Sequence, residues 1–244
     1  MGFKIIIFLT TWFVSIFVMA QDQLRVEYEL IQPEENFRFE GMPQGIELII
    51  PKQYYELILN QEEAIWRSIE RISNEQHEDK GMVGLITFAP EGELYKNIQS
   101  KKYIKEEESY SKKYLVKDDL VKRDWKITRE SKNVIGIKTR KATFEDKGMK
   151  LIAWYAPELK FKNGPDKYWG LPGLILELEI TYSEDNGGRE IYTYVAKELK
   201  TLKSNKKIVP PVKGIVVTQE ELNQINMENF GKMMEMREQG VDKD

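Results

Sequence analysis

Two glutamates, Glu177 and Glu179, sit two residues apart in an alternating stretch, so a strand there would place both carboxylates on one face. A carboxylate pair at the right separation can hydrolyse a glycosidic bond, one acid donating a proton and the other acting as nucleophile or base. Sheet-surface acids neutralised by a lysine such as Lys197 have the same appearance in sequence. Other chemistry is sparse. The chain has no cysteine and one histidine, His77, in the polar turn Asn74–Lys80. Thiol nucleophiles, disulfides, thiolate metal sites and histidine-rich metal sites are therefore excluded, and His77 reads as a solvated loop residue. Glu78-Asp79 and Asp118-Asp119 lack the spacing of a calcium loop and read as solvated turns. No phosphate-binding glycine motif is present, and no metal or cofactor is expected.

The 244 residues carry 37 basic and 40 acidic side chains, a formal charge of −3, with 41% hydrophobic and 11% aromatic content. That balance excludes a basic nucleic-acid binder and a multispanning membrane protein. Lys101-Lys102 and Lys112-Lys113 are offset by Glu106-Glu107-Glu108 and make a mixed surface.

Residues 1–20 have the three-part pattern of a secretory signal peptide. A short n-region with Lys4 precedes the uncharged apolar run Ile5–Val18, and small Ala20 ends the segment. The apolar run falls short of the ~20 residues of a membrane span, so cleavage after Ala20 is expected, leaving no integral membrane segment. The address implied is periplasmic or secreted.

Residues 21–203 read as one β domain. Apolar positions recur at period two, with turn residues about every ten positions. Leu24-Val26-Tyr28-Leu30 alternates with Arg25, Glu27 and Glu29, and Trp66 opposes Arg67 and Arg71. Met82–Phe88 and Glu93–Gln99 suggest a hairpin across Pro90-Glu91-Gly92, and Glu145–Gly148 a turn between two further strands. Asn186-Gly187 signals a two-residue turn, which pairs Leu178 with Val195 and Ile180 with Thr193 on the core side. A loop on Gly187-Gly188 would instead pair Glu179 with Ala196. The expected fold is mainly β, an antiparallel meander forming a curved sheet or open barrel, with a C-terminal α-helix. Residues 204–244 form a linker and that helix. Pro210-Pro211 ends the sheet region, and Thr218 with Glu221 forms a capping box for a helix over 219–237, docked through Leu222, Ile225, Phe230, Met233 and Met234.

The most distinctive segment is MKLIAWYAPELKFKNGPDKYWGLPGLILELEI, residues 149–180, in which Gly170-Leu171-Pro172-Gly173-Leu174-Ile175 spells GLPGLI. With Ala153-Trp154-Tyr155, Pro157-Glu158, Gly164-Pro165, Tyr95-Lys96-Asn97 and Trp125–Thr128, the chain resembles the GLPGLI family over most of 24–200. The resemblance implies an exported protein of Gram-negative bacteria with no established biochemical function. Thr139 departs from the family, many of whose members carry cysteine there. Turn chemistry predicts a type II turn over Leu171–Leu174, with Pro172 at its second position and Gly173 at positive φ. Gly164-Pro165 punctuates the preceding loop, and Gly170 reads as a point of close backbone approach.

Trp154, Tyr155, Glu158, Tyr168, Trp169 and Glu177 are the candidate ligand or partner surface around this loop, or else the aromatics cap the core and the motif is a folding device. The function expected is a non-catalytic envelope protein that binds a small apolar ligand or an envelope protein partner. The alternative is a carboxylate-dependent hydrolase centred on Glu177, with Glu158 or Glu179.

Overall fold

The computed structural model describes residues 23–33, 47–49, 51–71, 83–85, 92–183, 188–203 and 207–241. The expected leader at 1–20, His77, Glu78-Asp79 and the Asn186-Gly187 turn lie outside the described residues. The strands in chain order are β1 (Gln23–Ile31), β2 (Glu47–Ile49), β3 (Gln53–Leu59), β4 (Glu63–Ile69), β5 (Val83–Leu85), β6 (Leu94–Asn97) and β7 (Lys102–Ser109). They continue with β8 (Lys112–Asp119), β9 (Lys126–Val134), β10 (Ile137–Asp146), β11 (Met149–Ala156), β12 (Leu174–Ser183), β13 (Arg189–Leu202) and β14 (Ile215–Val217). The helix α1 (Gln219–Val241) follows.

As the alternation predicts, the molecule is mainly β, with one open sheet of 12 strands and a C-terminal helix. The order is β14-β8-β7-β6-β4-β3-β1-β13-β12-β11-β10-β9. Two meanders, β3 to β8 and β9 to β13, are joined where β1 pairs with both β3 and β13. Pro90-Glu91 of the expected hairpin lie outside the described residues, and among the described ones Val83–Leu85 does not pair with β6. β5 pairs in parallel with β2 in a separate small sheet, while β6 lies between β4 and β7.

One face of the large sheet is aromatic. Trp66 stacks on Tyr55 at 4.9 Å and meets the edge of Tyr194 at 5.5 Å, with Tyr28 5.4 Å away. Four strands thus contribute one ring cluster, an arrangement whose offset and edge contacts add to simple area burial.

Tyr194 explains why the β12–β13 register differs from expectation. Leu178 pairs with Tyr194 and Ile180 with Tyr192, a slip of one residue from the predicted pairing. A one-residue slip exchanges the faces of a strand. Tyr194 and Ala196 are buried as a result, and Val195 moves to the opposite face. The predicted register preferred β-branched Thr193 and Val195 for the core and overlooked the space for a tyrosine ring beside Tyr55 and Trp66. Lys147-Gly148, both at positive φ, close the expected tight turn between Asp146 and Met149.

The motif turn is a second correction. Gly173 does not adopt positive φ, so Leu171–Leu174 is not a type II turn. Its N–H donates to the Leu171 carbonyl at 2.8 Å, a three-residue turn about Pro172. The glycine roles are exchanged. Gly170 has φ +98° with open space around its α-carbon, whereas a Cβ on Gly173 would lie 2.2 Å from the Ala156 carbonyl oxygen.

After Pro210-Pro211 the chain rejoins the sheet, β14 pairing in parallel with β8. The capping box forms as predicted: the Glu221 N–H donates to Thr218 Oγ1 at 3.2 Å, and the Thr218 N–H to Glu221 Oε2 at 2.7 Å. Leu222 is fully buried and Ile225 partly so, and Ser109 Oγ donates to Asn226 Oδ1 at 2.6 Å. Docking then stops. Phe230, Met233 and Met234, expected to pack, are exposed along with Met227 and Met236. Among the described residues, no helix is long and apolar enough to cross a membrane.

The two glycines should respond differently to alanine. Gly170→Ala should cost about 1–2 kcal/mol in urea unfolding, the strain of a side chain at positive φ. Gly173→Ala should cost about 3 kcal/mol or more, because backbone must move to admit the methyl group. Equal losses would overturn this assignment.

Candidate functional site

The loop 157–173 between β11 and β12 is tied to itself and to strands far from it in sequence. Leu174 N–H donates to the Leu159 carbonyl and Ile175 N–H to the Asn163 carbonyl, both at 3.0 Å. Trp169 Nε1 donates to the Val121 carbonyl at 3.0 Å, and Trp125 Nε1 to the Trp169 carbonyl at 3.1 Å. Arg123 lies over the Tyr168 ring at 4.5 Å. Tyr28 OH on β1 reaches the Ile175 carbonyl at 2.7 Å.

The decisive tie comes from β6. Lys96 is fully buried, and its ammonium donates to the carbonyls of Gly164 at 2.6 Å and Asp166 at 2.5 Å. Burial pushes this amine down to about 7, against a smaller opposing pull from Asp166. With Lys167 over Tyr103 of β7 at 5.3 Å, these contacts show the sheet bent far enough for both meanders to grip one loop.

The predicted surface residues are therefore divided by the sheet. Tyr155, Tyr168 and Trp169 are buried with the core, while Glu158 is exposed on the loop. Of the motif residues, Gly164, Pro165, Leu171, Gly173, Leu174 and Ile175 are buried, and Gly170 and Pro172 are exposed. Trp154 and Glu177 are brought together on the opposite face, as direct partners between β11 and β12. Lys132 of β9 joins them: its ammonium lies 4.5 Å from the Trp154 ring centre and 2.7 Å from each Glu177 oxygen. Thr139, fully buried, donates to the Lys132 carbonyl at 2.8 Å and steadies that strand. Lys197, considered as the neutralising partner, pairs instead with Glu29 at 2.7 Å.

Sequence reasoning missed a larger polar array on this face. Glu27 and Glu56 stand directly opposite each other on β1 and β3, both nearly buried. Like charges so placed repel unless countered. Arg25 Nε reaches Glu56 at 2.5 Å and Arg67 Nε reaches it at 2.6 Å, while Arg71 closes on Glu27. Burial alone would push the Glu56 carboxyl up; the hydrogen bonds from Arg25 and Arg67 outweigh it and leave the carboxyl below its ordinary value. Only the alternation of Glu27 with apolar residues was visible in sequence, and that pattern reads as solvated.

At the end of the same face, the chain after β13 folds back over the sheet. Ile208 packs on Ile65 and Tyr95, with Ile58 and Ile104 beside them. A pocket of about 360 Å³ opens there. Among the described residues, no group of three acidic or histidine side chains is placed to hold a metal ion. Asp118 accepts instead from the Gln219 N–H at the start of α1, at 3.1 Å.

Lys96 gives a pH prediction with a definite sign. Between about pH 7 and the ordinary lysine value of 10.5, the unfolded chain holds a proton that the folded chain lacks. Stability from this group therefore rises with pH across that window and is lowest below it. The melting temperature of the wild type minus that of Lys96→Met should grow between about pH 7 and pH 9.5. At neutral pH the variant should lose about 1–3 kcal/mol through its abandoned carbonyls. A difference independent of pH would overturn the assignment.

Among curated proteins none matches this chain. Two of the solved structures similar to this chain are the following. "Structure of PNGF-II in C2 space group" superposes with a TM-score of 0.52 at 18% identity, covering 84% of this chain and 33% of that one. "Structure of PNGF-II in P21 space group" gives 0.49 at 17% identity, covering 76% and 29%. The chain thus spans about a third of the length of the first of these. Residues 92–177, which hold β6 to the start of β12 and the whole 157–173 loop, match the profile of a family described as "Protein of unknown function (Porph_ging)".

Proposed function

We propose that this is an exported, non-catalytic binding protein of the cell envelope, a member of the GLPGLI family, that engages a protein partner through the distal part of α1. Export is supported by the three-part pattern of residues 1–20. Membership is supported by the profile match, which includes Gly170–Ile175. One observation carries the binding role: beyond Asn226, Met227, Phe230, Met233, Met234 and Met236 are all exposed.

At about 100° per residue, Met233 and Met236 continue the stripe that seats Leu222 and Ile225, whereas Met227, Phe230 and Met234 form a second apolar stripe on the far side of the helix. The helix carries exposed apolar residues on both of these sides past its docked first turns. Methionine adapts to varied partner surfaces. The charge favours protein over an anionic lipid surface, since residues 219–237 contain four glutamates against Lys232 and Arg237. The complementary partner presents an apolar groove with a basic rim. Catalysis is the weaker reading, because one ammonium holds both oxygens of Glu177.

Met234→Asp and Phe230→Asp should change stability by no more than about 0.5 kcal/mol, whereas Leu222→Ala should cost about 2–5 kcal/mol. A photo-crosslinking residue at 230, in the full chain expressed in its native envelope, should yield one discrete heavier species. Met227→Asp with Met234→Asp should abolish it, and the same probe at exposed Tyr110 should not produce it. Crosslinking to a second copy, or none, would overturn the proposal.

A further inference from the structure

The geometry points to a second binding site, independent of the helix: the pocket between the charged face of the sheet and the returning segment 207–209 takes a small aliphatic carboxylate. Its walls are Ile58, Ile65, Leu202 and Ile208, branched aliphatic side chains from three strands and the crossing segment. Ile208 is buried, and its contacts with Ile65 and Tyr95 form a small apolar cluster separate from the main core. At about 360 Å³ the space suits a ligand at the small end of those that proteins enclose.

The charges at the pocket select the head group. Arg67, Glu93 and Lys207 are the charged residues lining it. Arg67 is anchored from behind, its Nε 2.6 Å and Nη2 2.5 Å from Glu56, so its guanidinium is oriented before any ligand arrives. The remaining Nη1 meets only half-exposed Glu93, at 3.1 Å. Lys207 is exposed, with no carboxylate in ion-pair range among the described residues. A ligand carboxylate replaces Glu93 on Nη1 and pairs with Lys207, while its chain lies on the isoleucines. A fixed guanidinium that needs no reorganisation favours a planar anion over a hydroxyl.

Octanoate is the probe, titrated into the purified full chain by calorimetry, with isoleucine methyl spectra reporting the location. Saturable binding should shift the Ile58, Ile65 and Ile208 methyl signals. Octanol, which has the same chain without the charge, should bind at least about tenfold more weakly. Ile208→Trp, which fills the pocket, should weaken octanoate by about tenfold or more, and Lys207→Gln by about threefold. Because Arg67 also serves buried Glu56, Lys207→Gln and Ile208→Trp carry the test, each with a melting temperature to show that it folds. Failure of octanoate to saturate, equal affinity for octanol, or indifference to Ile208→Trp would each overturn the inference. None of these results bears on the helix.

Discussion

Among the described residues one amine, on Lys96, has no access to water, and the shape of the sheet follows from how it is satisfied. A buried ammonium or amine without partners costs several kcal/mol, so β6 must be accompanied by acceptors wherever it goes. The acceptors are the backbone carbonyls of Gly164 and Asp166, which belong to a loop attached to the other meander. Meeting that demand requires the sheet to curve until β6 faces the 157–173 loop. It also requires the loop to hold one conformation, since two carbonyls must converge on one nitrogen. Gly173 then lets the chain pass against Ala156, and Gly170 turns it without a side chain to strain. The GLPGLI segment is in this sense the mould for the concave face, and the sheet is cast around it.

The two faces of the sheet solve opposite problems. The concave face is apolar and aromatic, and its few polar groups are answered individually, as with Tyr28 OH on the Ile175 carbonyl. The other face carries buried carboxylates directly opposed on adjacent strands and answers them collectively, with Arg25, Arg67 and Arg71 interleaved between Glu27 and Glu56. Such an array adds little net stability over aliphatic packing, but it penalises every register that separates the charges. It lies on the β1–β3–β4 side of the seam where the two meanders join, which is where a slip would be most damaging.

What was legible in the sequence depended on the range of the interaction. Alternation marked most of the strands, Thr218 and Glu221 marked the start of α1, and Glu145–Gly148 marked a tight turn, because each of these is decided within a few residues. The β12–β13 register was misread because its arbiter, the Tyr55 and Trp66 rings that receive Tyr194, lies more than a hundred residues away in sequence. The exchange of roles between Gly170 and Gly173 was hidden for the same reason: the clash at Gly173 is with Ala156, in another strand. Lys96 sits in an ordinary alternating stretch, and nothing local to it announces a buried cation. Trp154 and Glu177 were found, but Lys132, which joins them, came from a strand whose pairing partner the sequence did not specify.

The placement of the loop also decides where binding can occur. A curved antiparallel sheet ordinarily offers its concavity to a ligand, and the aromatic residues near residue 170 looked suited to line one. Here that concavity is filled by the protein's own chain: Tyr155, Tyr168 and Trp169 are buried in the core, and Trp169 Nε1 donates to the Val121 carbonyl. Surface that remains apolar and reachable must therefore lie elsewhere. Among the described residues it includes two places, where α1 extends past β8 and where segment 207–209 crosses the charged face without closing on it. α1 and segment 207–209 both follow β13 and lie beyond the profile match at 92–177. The matched region supplies β6 to the start of β12 and the loop that Lys96 grips, while β1, β3, β4, β13 and β14 complete the sheet from outside it.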